Sequence, residues 1–344
     1  MESKLTHAAE YHSTLGAVSR MLAADVGGTH ARVALVDATH ADTLEVLRYE
    51  KYACAEFPSL GAILRTFVDS LGAGAAGAIH GGAIACAGYE LDGVIINPNL
   101  PWRVALDATR AQVGLRSLEF VNDFEAAAHA TPYLKPADLV PLTPAREGVA
   151  GAPTLVVGPG TGLGAAVRIP TASGAVVLAT EAGHAAFAPT SDREVEILRI
   201  LRRNDSHVEN ERLLSGPGLL NIYVALCELG GVKVSLTEPA EVTQAALDGS
   251  DAAAREALDV FCGLMGSVIG DFVLTYGPRG GVYLAGGVLP RIKDYLLKSD
   301  FYARFLDKGA MRPVLERVPV MLVEQAQLGV LGAAGWYLAH HQRV

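Results

Sequence analysis

Four glycines alternate with other residues directly after a short apolar run near the middle of the chain. The run reads Gly158-Pro159-Gly160-Thr161-Gly162-Leu163-Gly164 and follows the predicted strand 154–157, of which residues 155–157 are apolar. Because glycine has no side chain, such a loop lets backbone N–H groups come close to a phosphate. The loop lacks the Gly-Lys-Ser or Gly-Lys-Thr of a Walker A loop, which excludes that motif. A phosphate site at the end of a strand is therefore predicted.

Part of this run also matches a different nucleotide-binding pattern. Residues 160–165 fit the G-x-G-x-x-A fingerprint of dinucleotide-binding folds. That fingerprint requires a helix to follow, whereas Pro170 and the Ser173-Gly174 turn predict a β-hairpin instead. An NAD-dependent oxidoreductase stays open as an alternative, but it depends on this run alone.

Short apolar runs alternate with amphipathic stretches along the chain, which predicts an α/β architecture. Strands are predicted at 21–26, 31–36, 44–49, 78–86, 118–121, 154–157, 175–179 and 282–285. Helices are predicted after Ser59, around 194–203, at 251–276 before Gly277-Pro278, and at 328–340. The proline-rich stretch 133–153 is expected to lie near a domain boundary.

Size and charge restrict the class of protein. The 344 residues suggest about two domains, and the formal charge of −9 repels nucleic-acid phosphates, so no nucleic-acid partner is expected.

Four widely spaced cysteines form neither a metal cluster nor a disulfide framework, which predicts a cytoplasmic protein. No membrane contact is expected, because glycines and Asp271 interrupt the most apolar stretch, 260–274. Residues 1–20 are expected to be a mobile extension without a signal peptide.

Two more apolar runs end in paired glycines. In Asp25-Val26-Gly27-Gly28-Thr29, the carboxylate at a strand end could hold hydrated Mg²⁺, although the segment is equally compatible with a plain hairpin turn. In Leu284-Ala285-Gly286-Gly287-Val288, bare backbone could accept a flat ring such as adenine. An ordinary strand-to-helix turn would have the same sequence.

A carboxylate and an amide follow another apolar run, in Val121-Asn122-Asp123-Phe124-Glu125. The carboxylate of Asp123 could accept a proton from an alcohol, and Asn122 could orient the same hydroxyl. Taken alone, an Asn-Asp pair before an alanine-rich helix favours a helix cap.

Carboxylates and a histidine also occur in Glu181-Ala182-Gly183-His184 and at Glu211, which begins a segment ending at Gly218. Such groups accept hydrogen bonds from the vicinal hydroxyls of a sugar. Taken alone, Glu211 is better interpreted as a solvated helix residue and His184 as a structural one. No cysteine is near His184, so zinc is not expected there.

In order and spacing, the motifs at 25–29, 121–124, 158–164, 181–184, 211–218 and 284–288 resemble those of the bacterial ATP-dependent glucokinases, within the hexokinase and actin-like ATPase superfamily. The resemblance runs from Met21 to about Leu338. It implies an α/β, two-domain actin-like ATPase (ribonuclease H-like) fold with an interdomain cleft. The implied small domain is 21–133 plus 325–344, and the large domain is 134–324.

The same resemblance implies roles for individual residues. Asp123 is the expected general base for the sugar 6-hydroxyl, and Asp25 the expected holder of Mg²⁺ through water. The implied glucose ligands are Asn99, Asn122, Asp123, Glu181, His184 and Glu211. The implied ATP ligands are Asp25, Gly27, Gly28, Thr29, Gly158, Gly160, Thr161, Gly162, Gly286 and Gly287.

The resemblance therefore implies an ATP- and Mg²⁺-dependent kinase that converts glucose to glucose 6-phosphate, the first step of glycolysis, as a homodimer. A kinase for mannose, fructose or an amino sugar stays open, as does a non-catalytic sugar sensor. A related group of kinases and repressors carries a cysteine-rich zinc motif after the sugar-binding histidine. Here Ala-Ala-Phe-Ala-Pro follows His184, so that group is not the closest match.

Overall fold

The computed structural model describes residues 20–40, 43–72, 74, 79–144 and 146–341. The chain divides into two units, which are called unit 1 (Met1–Leu134 with Ala326–Val344) and unit 2 (Lys135–Gln325). The expected mobile extension lies outside the described residues, apart from Arg20.

Fourteen strands occur within the described residues. They are β1 (Arg20–Val26), β2 (His30–His40), β3 (Thr43–Ala53), β4 (Gly81–Cys86), β5 (Tyr89–Leu91), β6 (Val94–Ile96), β7 (Val104–Ala105), β8 (Ser117–Asn122), β9 (Leu139–Pro141), β10 (Thr154–Pro159), β11 (Leu163–Thr171), β12 (Gly174–Thr180), β13 (Gly281–Leu284) and β14 (Val320–Val323).

Eleven α-helices occur within the same part of the chain. They are α1 (Leu60–Ser70), α2 (Leu106–Val113), α3 (Asp123–Ala130), α4 (Asp192–Leu201), α5 (Gly216–Leu229), α6 (Pro239–Asp248), α7 (Ala252–Tyr276), α8 (Lys293–Leu296), α9 (Phe301–Leu306), α10 (Arg312–Leu315) and α11 (Leu328–His341).

Unit 1 is built on a five-stranded sheet in the order β3-β2-β1-β4-β8. The strands β1, β4 and β8 are parallel, whereas β2 and β3 continue the sheet as antiparallel hairpin strands. Successive residues of β1 enter two different cores, since Met21 packs with α11 and Leu22 with α1. Helices on both faces of the sheet explain why β1 and β4 read as nearly continuous apolar runs.

Unit 2 is built on a six-stranded sheet in the order β12-β11-β10-β13-β14-β9. Here β10, β13 and β14 are parallel, and a single large core covers the sheet. The central helix α7 has 25 residues and is long and apolar enough to cross a membrane, but 78% of its most apolar window is buried inside the protein. The helix is therefore explained as a core helix of unit 2.

The mixed α/β architecture predicted from the sequence is confirmed. The β1–β2 and β11–β12 hairpins and the helices α1, α4, α7 and α11 occur where the patterns predicted them. The strand predicted at 78–86 begins only at Gly81, and Ala78 lies outside the described residues. The stretch 133–153 contains the edge strand β9, which no sequence pattern predicted because three residues are too few to show a period.

Candidate active site

The parallel strands of unit 1 end side by side. In the sheet register, Val26 of β1 pairs with Cys86 of β4, and Cys86 pairs with Asn122 of β8. The turn after β1 and the beginning of α3 therefore lie at one edge of the sheet. The carboxyl ends of parallel strands are the usual place for ligands in α/β folds.

The turn after β1 packs against the loop that contains Asn99. The N–H of Gly27 donates to the carbonyl oxygen of His30 at 3.0 Å, so the hairpin interpretation is confirmed. A Cβ on Gly28 would lie 2.5 Å from the backbone oxygen of Asn99. Glycine is thus required at position 28, because the backbone of Asn99 comes too close for a side chain. The predicted ATP turn and the predicted sugar loop are therefore neighbours.

Asp25 is held between an arginine and the first turn of α11. Its Oδ2 lies 3.2 Å from Nη1 of Arg32, and a Cβ on Gly329 would lie 2.5 Å from its Cγ. Burial raises the pKa of Asp25, and the charge of Arg32 acts in the opposite direction. No role of Arg32 was predicted from the sequence, although a hairpin register that places Asp25 opposite Arg32 would have indicated the ion pair.

The surroundings of Asp25 fit Mg²⁺ bound by few protein ligands. Within the described residues, no group of three or more His, Cys, Asp or Glu could hold a metal ion. The ion pair with Arg32 engages Oδ2 only, and Oδ1 is a hard oxygen of the kind that Mg²⁺ prefers. Because Mg²⁺ keeps several waters and takes substrate phosphate oxygens, one carboxylate suffices.

Asn122 and Asp123 begin α3, so the cap interpretation of this pair is confirmed. Oδ1 of Asn122 accepts hydrogen bonds from the N–H groups of Phe124 and Glu125, at 3.0 and 3.3 Å. The cap needs only this oxygen, and the amide NH₂ of Asn122 is still a donor. Asp123 is the first helical residue, where the N-terminus of the helix stabilises a negative charge.

Cys86 lies among these groups as a buried thiol. Burial raises its pKa to about 11, and the nearby charges of Asp123 and Asp25 act in the same direction. The Nδ2 of Asn97 donates to the sulfur at 3.5 Å, while its Oδ1 accepts from the N–H of Asn99 at 2.9 Å. Asn97 is therefore used to shape the loop, and the exposed side chain of Asn99 is the one left for a ligand.

In unit 2, the glycine run forms the turn between β10 and β11. A Cβ on Gly158 would overlap the backbone oxygen of Ala285, and one on Gly286 would lie 2.4 Å from that of Pro159. Gly286 also has φ +143°, which favours glycine. The predicted phosphate loop and the predicted adenosine residues therefore adjoin one another at the ends of two parallel strands.

No helix follows the glycine run, because β11 begins at Leu163. Gly160 donates its N–H to the carbonyl oxygen of Gly162 at 2.7 Å, which closes the turn and leaves Thr161 exposed at its tip. The dinucleotide-binding fingerprint therefore lacks the helix that it requires.

The predicted sugar ligands of unit 2 lie on or directly before two 3₁₀ turns, Ala182–His184 and Asn210–Arg212. An antiparallel bridge between Ala186 and Glu209 joins the segments that carry these turns. Glu181 immediately precedes the first turn, and its side chain is 89% exposed. The side chain of His184 is 56% exposed, so this residue is not part of a core.

Glu211, on the second turn, differs from these exposed side chains. Its Oε2 accepts a hydrogen bond from the N–H of Leu163 at 2.7 Å. The interpretation of Glu211 as a solvated helix residue is therefore wrong. The role of Leu163 was not predicted, because a backbone donor leaves no mark in the sequence.

Each unit thus gathers its own set of predicted residues. Unit 1 brings together Asp25, Gly27, Gly28, Thr29, Asn99, Asn122 and Asp123. Unit 2 brings together Gly158, Gly160, Thr161, Gly162, Glu181, His184, Glu211, Gly286 and Gly287.

Comparison with known proteins identifies close relatives over almost the whole chain. A "Glucokinase-like protein" from Xylella fastidiosa (strain Temecula1) is 45% identical over 324 residues, which are 93% of this chain and 95% of that one. A "Glucokinase" from Marinobacter nauticus is 39% identical over 326 residues, covering 95% and 97% of the two chains.

Solved structures agree with this result. The crystal structure of a glucokinase from an Antarctic psychrotroph matches with a TM-score of 0.82 and 32% identity, over 92% of this chain and 98% of that one. A Balamuthia mandrillaris glucokinase solved with glucose shares the fold, with a TM-score of 0.74 and 22% identity over 98% and 99% of the chains. Because the sequence model of the family named Glucokinase also matches residues 22–340, the chain belongs to the glucokinase family.

Proposed function

We propose that this chain transfers the γ-phosphoryl group of ATP to the 6-hydroxyl of glucose, with Asp123 as the general base. The observation that carries this assignment of residues is the arrangement in unit 1. There the glycine turn after Asp25, the loop with Asn99 and the carboxylate of Asp123 lie at one sheet edge. Phosphoryl transfer depends mainly on positioning and on charge stabilisation, which such an edge supplies.

The chemical step is an in-line displacement. As the 6-oxygen of glucose forms its bond to the γ-phosphorus, the bond from that phosphorus to the β,γ-bridging oxygen breaks and ADP leaves. Asp123 accepts the hydroxyl proton, and the amide NH₂ of Asn122 orients the same oxygen. A positioned base contributes about 10²- to 10⁴-fold to the rate.

The two glycine turns donate N–H groups to the ATP phosphates. The N–H groups of Gly27 and Gly160 already close their own turns. The phosphate contacts are therefore assigned to the N–H groups of residues 28–29 and 161–162. The adenosine is assigned to the bare backbone of Gly286 and Gly287. Asp25 would hold hydrated Mg²⁺, which neutralises phosphate charge when bound.

The remaining sugar contacts come from Glu181, His184, Glu211 and Asn99. The exposed carboxylate of Glu181 accepts hydrogen bonds from sugar hydroxyls, and His184 either donates or accepts. An actin-like ATPase fold with an interdomain cleft, a homodimeric assembly and a cytoplasmic location complete the proposal. These features follow from the family resemblance.

The test is an assay of sugar phosphate formation, with ADP release followed where ATP is the donor. The acceptors are glucose, mannose, fructose and glucosamine, and the donors are ATP, GTP, ADP and polyphosphate, each with and without Mg²⁺. The expected result is ADP formation that requires glucose, ATP and Mg²⁺ together. Glucose binding without any ADP would make the chain a sugar sensor. A higher kcat/KM for another hexose would reassign the substrate. Tight binding of NAD(H) in a spectrophotometric titration would favour the oxidoreductase alternative.

A further inference from the structure

The carboxylate of Glu211 is fastened to the backbone of the phosphate loop in unit 2. Its Oε2 accepts the N–H of Leu163 at 2.7 Å, and Leu163 directly follows Gly162, the last predicted ATP ligand of the glycine run. A carboxylate that accepts a backbone N–H forms one of the stronger hydrogen bonds in proteins. Glu211 is also a proposed glucose ligand, so one side chain belongs to both sets of ligands.

A second bond joins the same two segments. The N–H of Gly216 donates to the carbonyl oxygen of Gly160 at 2.9 Å. Between these two anchors, Oγ of Ser215 donates to the carbonyl oxygen of Glu211 at 2.8 Å and caps α5 by accepting the N–H of Gly218 at 3.0 Å. The segment 211–216 is therefore held against the phosphate loop at both ends.

The loop is shaped to admit this carboxylate. A Cβ on Gly162 would lie only 2.4 Å from Oε2 of Glu211, so a larger residue at this position would displace the carboxylate. Around Gly160, two residues earlier, a Cβ would meet nothing within 4 Å. An alanine at position 162 would therefore displace the Glu211 carboxylate, whereas an alanine at position 160 would not.

We propose that Glu211 is a positioning residue that couples glucose binding to nucleotide binding, a role that rests on the proposed function of this site. Oε2 fixes the phosphate loop, while Oε1 accepts a sugar hydroxyl. A bound sugar that orders the Glu211 carboxylate also orders the phosphate loop. The conformational entropy of these groups is therefore lost only once for the two ligands. The coupling is positive, and thermodynamic linkage requires it to be equal in both directions.

The sharpest test is a change in the phosphate loop whose effect is measured on glucose. Gly162→Ala displaces the Glu211 carboxylate, and Gly160→Ala is the matched control in the same turn. Titration calorimetry with glucose, in the absence of nucleotide, should show about tenfold weaker binding for Gly162→Ala, the loss expected for one charge-assisted hydrogen bond. Because no nucleotide is present, the predicted role of Gly160 in ATP binding does not enter this measurement. Gly160→Ala should bind glucose within about twofold of the wild type, because its new Cβ meets nothing within 4 Å.

The reciprocal measurement uses a non-hydrolysable ATP analogue with Mg²⁺, titrated with and without saturating glucose. The wild type should bind the analogue at least about fivefold more tightly with glucose, within the usual range of coupling. Glu181→Gln should keep that ratio once glucose is saturating, because Glu181 is exposed and follows β12 rather than the phosphate loop. Glu211→Ala should reduce the ratio towards one.

The outcomes separate the two proposals. Equal glucose affinity in Gly162→Ala and Gly160→Ala, or an undiminished ratio in Glu211→Ala, would overturn the coupling role. If Glu181→Gln and Glu211→Ala both bound glucose like the wild type, the proposed sugar ligands themselves would be wrong.

Discussion

At the scale of single residues, Asp123 is the group on which the proposed chemistry depends. Asp123→Asn should lower kcat by at least about 10²-fold, because an amide cannot accept the hydroxyl proton. Glucose affinity should be largely kept, because the amide still forms hydrogen bonds. Steady-state kinetics and glucose calorimetry measure the two effects separately.

Asp107 provides a control for Asp123→Asn. It also lies in the first turn of a helix, α2, and its side chain is 92% exposed. Asp107→Asn should therefore leave kcat and glucose affinity unchanged. A turnover near that of the wild type in Asp123→Asn would remove this residue from the role of base.

His341 should make the stability of unit 1 depend on pH. Its Nε2 lies 2.8 Å from a carboxylate oxygen of Glu119, and its Nδ1 lies 2.9 Å from the carbonyl oxygen of Tyr337. Only the protonated ring can donate to both acceptors, and the hydrogen bond with Glu119 raises the pKa of His341. This stabilisation is complete below the unfolded pKa of about 6.5 and is lost as the pH rises through the folded pKa.

His341→Gln should therefore destabilise the protein by about 1 kcal/mol at pH 5.5, since Glu119 is partly exposed, and by less at pH 9. Urea unfolding at both pH values measures the difference. His340→Gln is the control, because Nδ1 of His340 contacts the carbonyl oxygen of Trp336 in the same manner. A cost for His341→Gln that did not change with pH would contradict the prediction.

Two residues, Asn122 and Glu211, show what could and what could not be predicted from the sequence. Both interpretations of Asn122 were available from the sequence, and the structure confirms the cap, which leaves the amide NH₂ for a ligand. For Glu211, the interpretation as a solvated residue failed because its partner is the backbone N–H of Leu163. Side-chain chemistry can be predicted from a motif, but a bond to a distant backbone group depends on the fold.

At the scale of elements, alanine substitutions at two glycines of α7 are expected to have opposite effects on stability. A Cβ on Gly266 would lie 2.1 Å from the backbone oxygen of Phe301, at the start of α9, and backbone cannot easily move away. One on Gly263 would meet the side chain of Arg304 at ordinary contact distances of 3.4 Å or more. Gly266→Ala should therefore cost about 1–3 kcal/mol through overpacking. Gly263→Ala should gain up to about 1 kcal/mol from helix propensity.

Thermal unfolding of the two variants measures these changes. A shift of about 2–4 °C per kcal/mol is expected for a unit of this size. If Gly266→Ala were as stable as Gly263→Ala, the close packing of α7 against α9 would be wrong.

The elements that the sequence predicted share a physical property. The helices α1 and α7 extend over several turns of apolar periodicity, and the strand β10 ends in a glycine and a proline. The local sequence pattern is therefore enough to predict these elements. The edge strand β9 and the two-residue strand β7 exist only because a partner strand is present. Pairing between distant segments is a property of the whole fold and leaves little local signal.

At the scale of the whole molecule, the family membership and glucokinase activity that the motifs implied are confirmed by the comparisons. No single motif would have sufficed, because the glycine turns, the cap at Asn122 and the exposed His184 each have an ordinary structural explanation. Their common order along 344 residues carries the identification. The individual roles of these residues stay predictions, which the substitutions above address.

Separate cores predict how the molecule unfolds. The core of unit 2 shares no residue with the two cores of unit 1, which lie on opposite faces of one sheet and are joined by it. Each unit can therefore lose its structure as a cooperative body. Calorimetry of the unliganded protein should therefore resolve two transitions. Gly266→Ala should lower only the transition of unit 2, and His341→Gln at pH 5.5 only that of unit 1.

Ligands should act on both transitions, because the proposed glucose contacts include Asp123 of unit 1 and Glu211 of unit 2. At about 100 times its Kd, a ligand stabilises the state that binds it by about 2.7 kcal/mol. Glucose that raised one transition alone would restrict the sugar contacts to one unit. A single transition, lowered alike by both substitutions, would show that the two units unfold together and that separate cores do not make separate cooperative bodies.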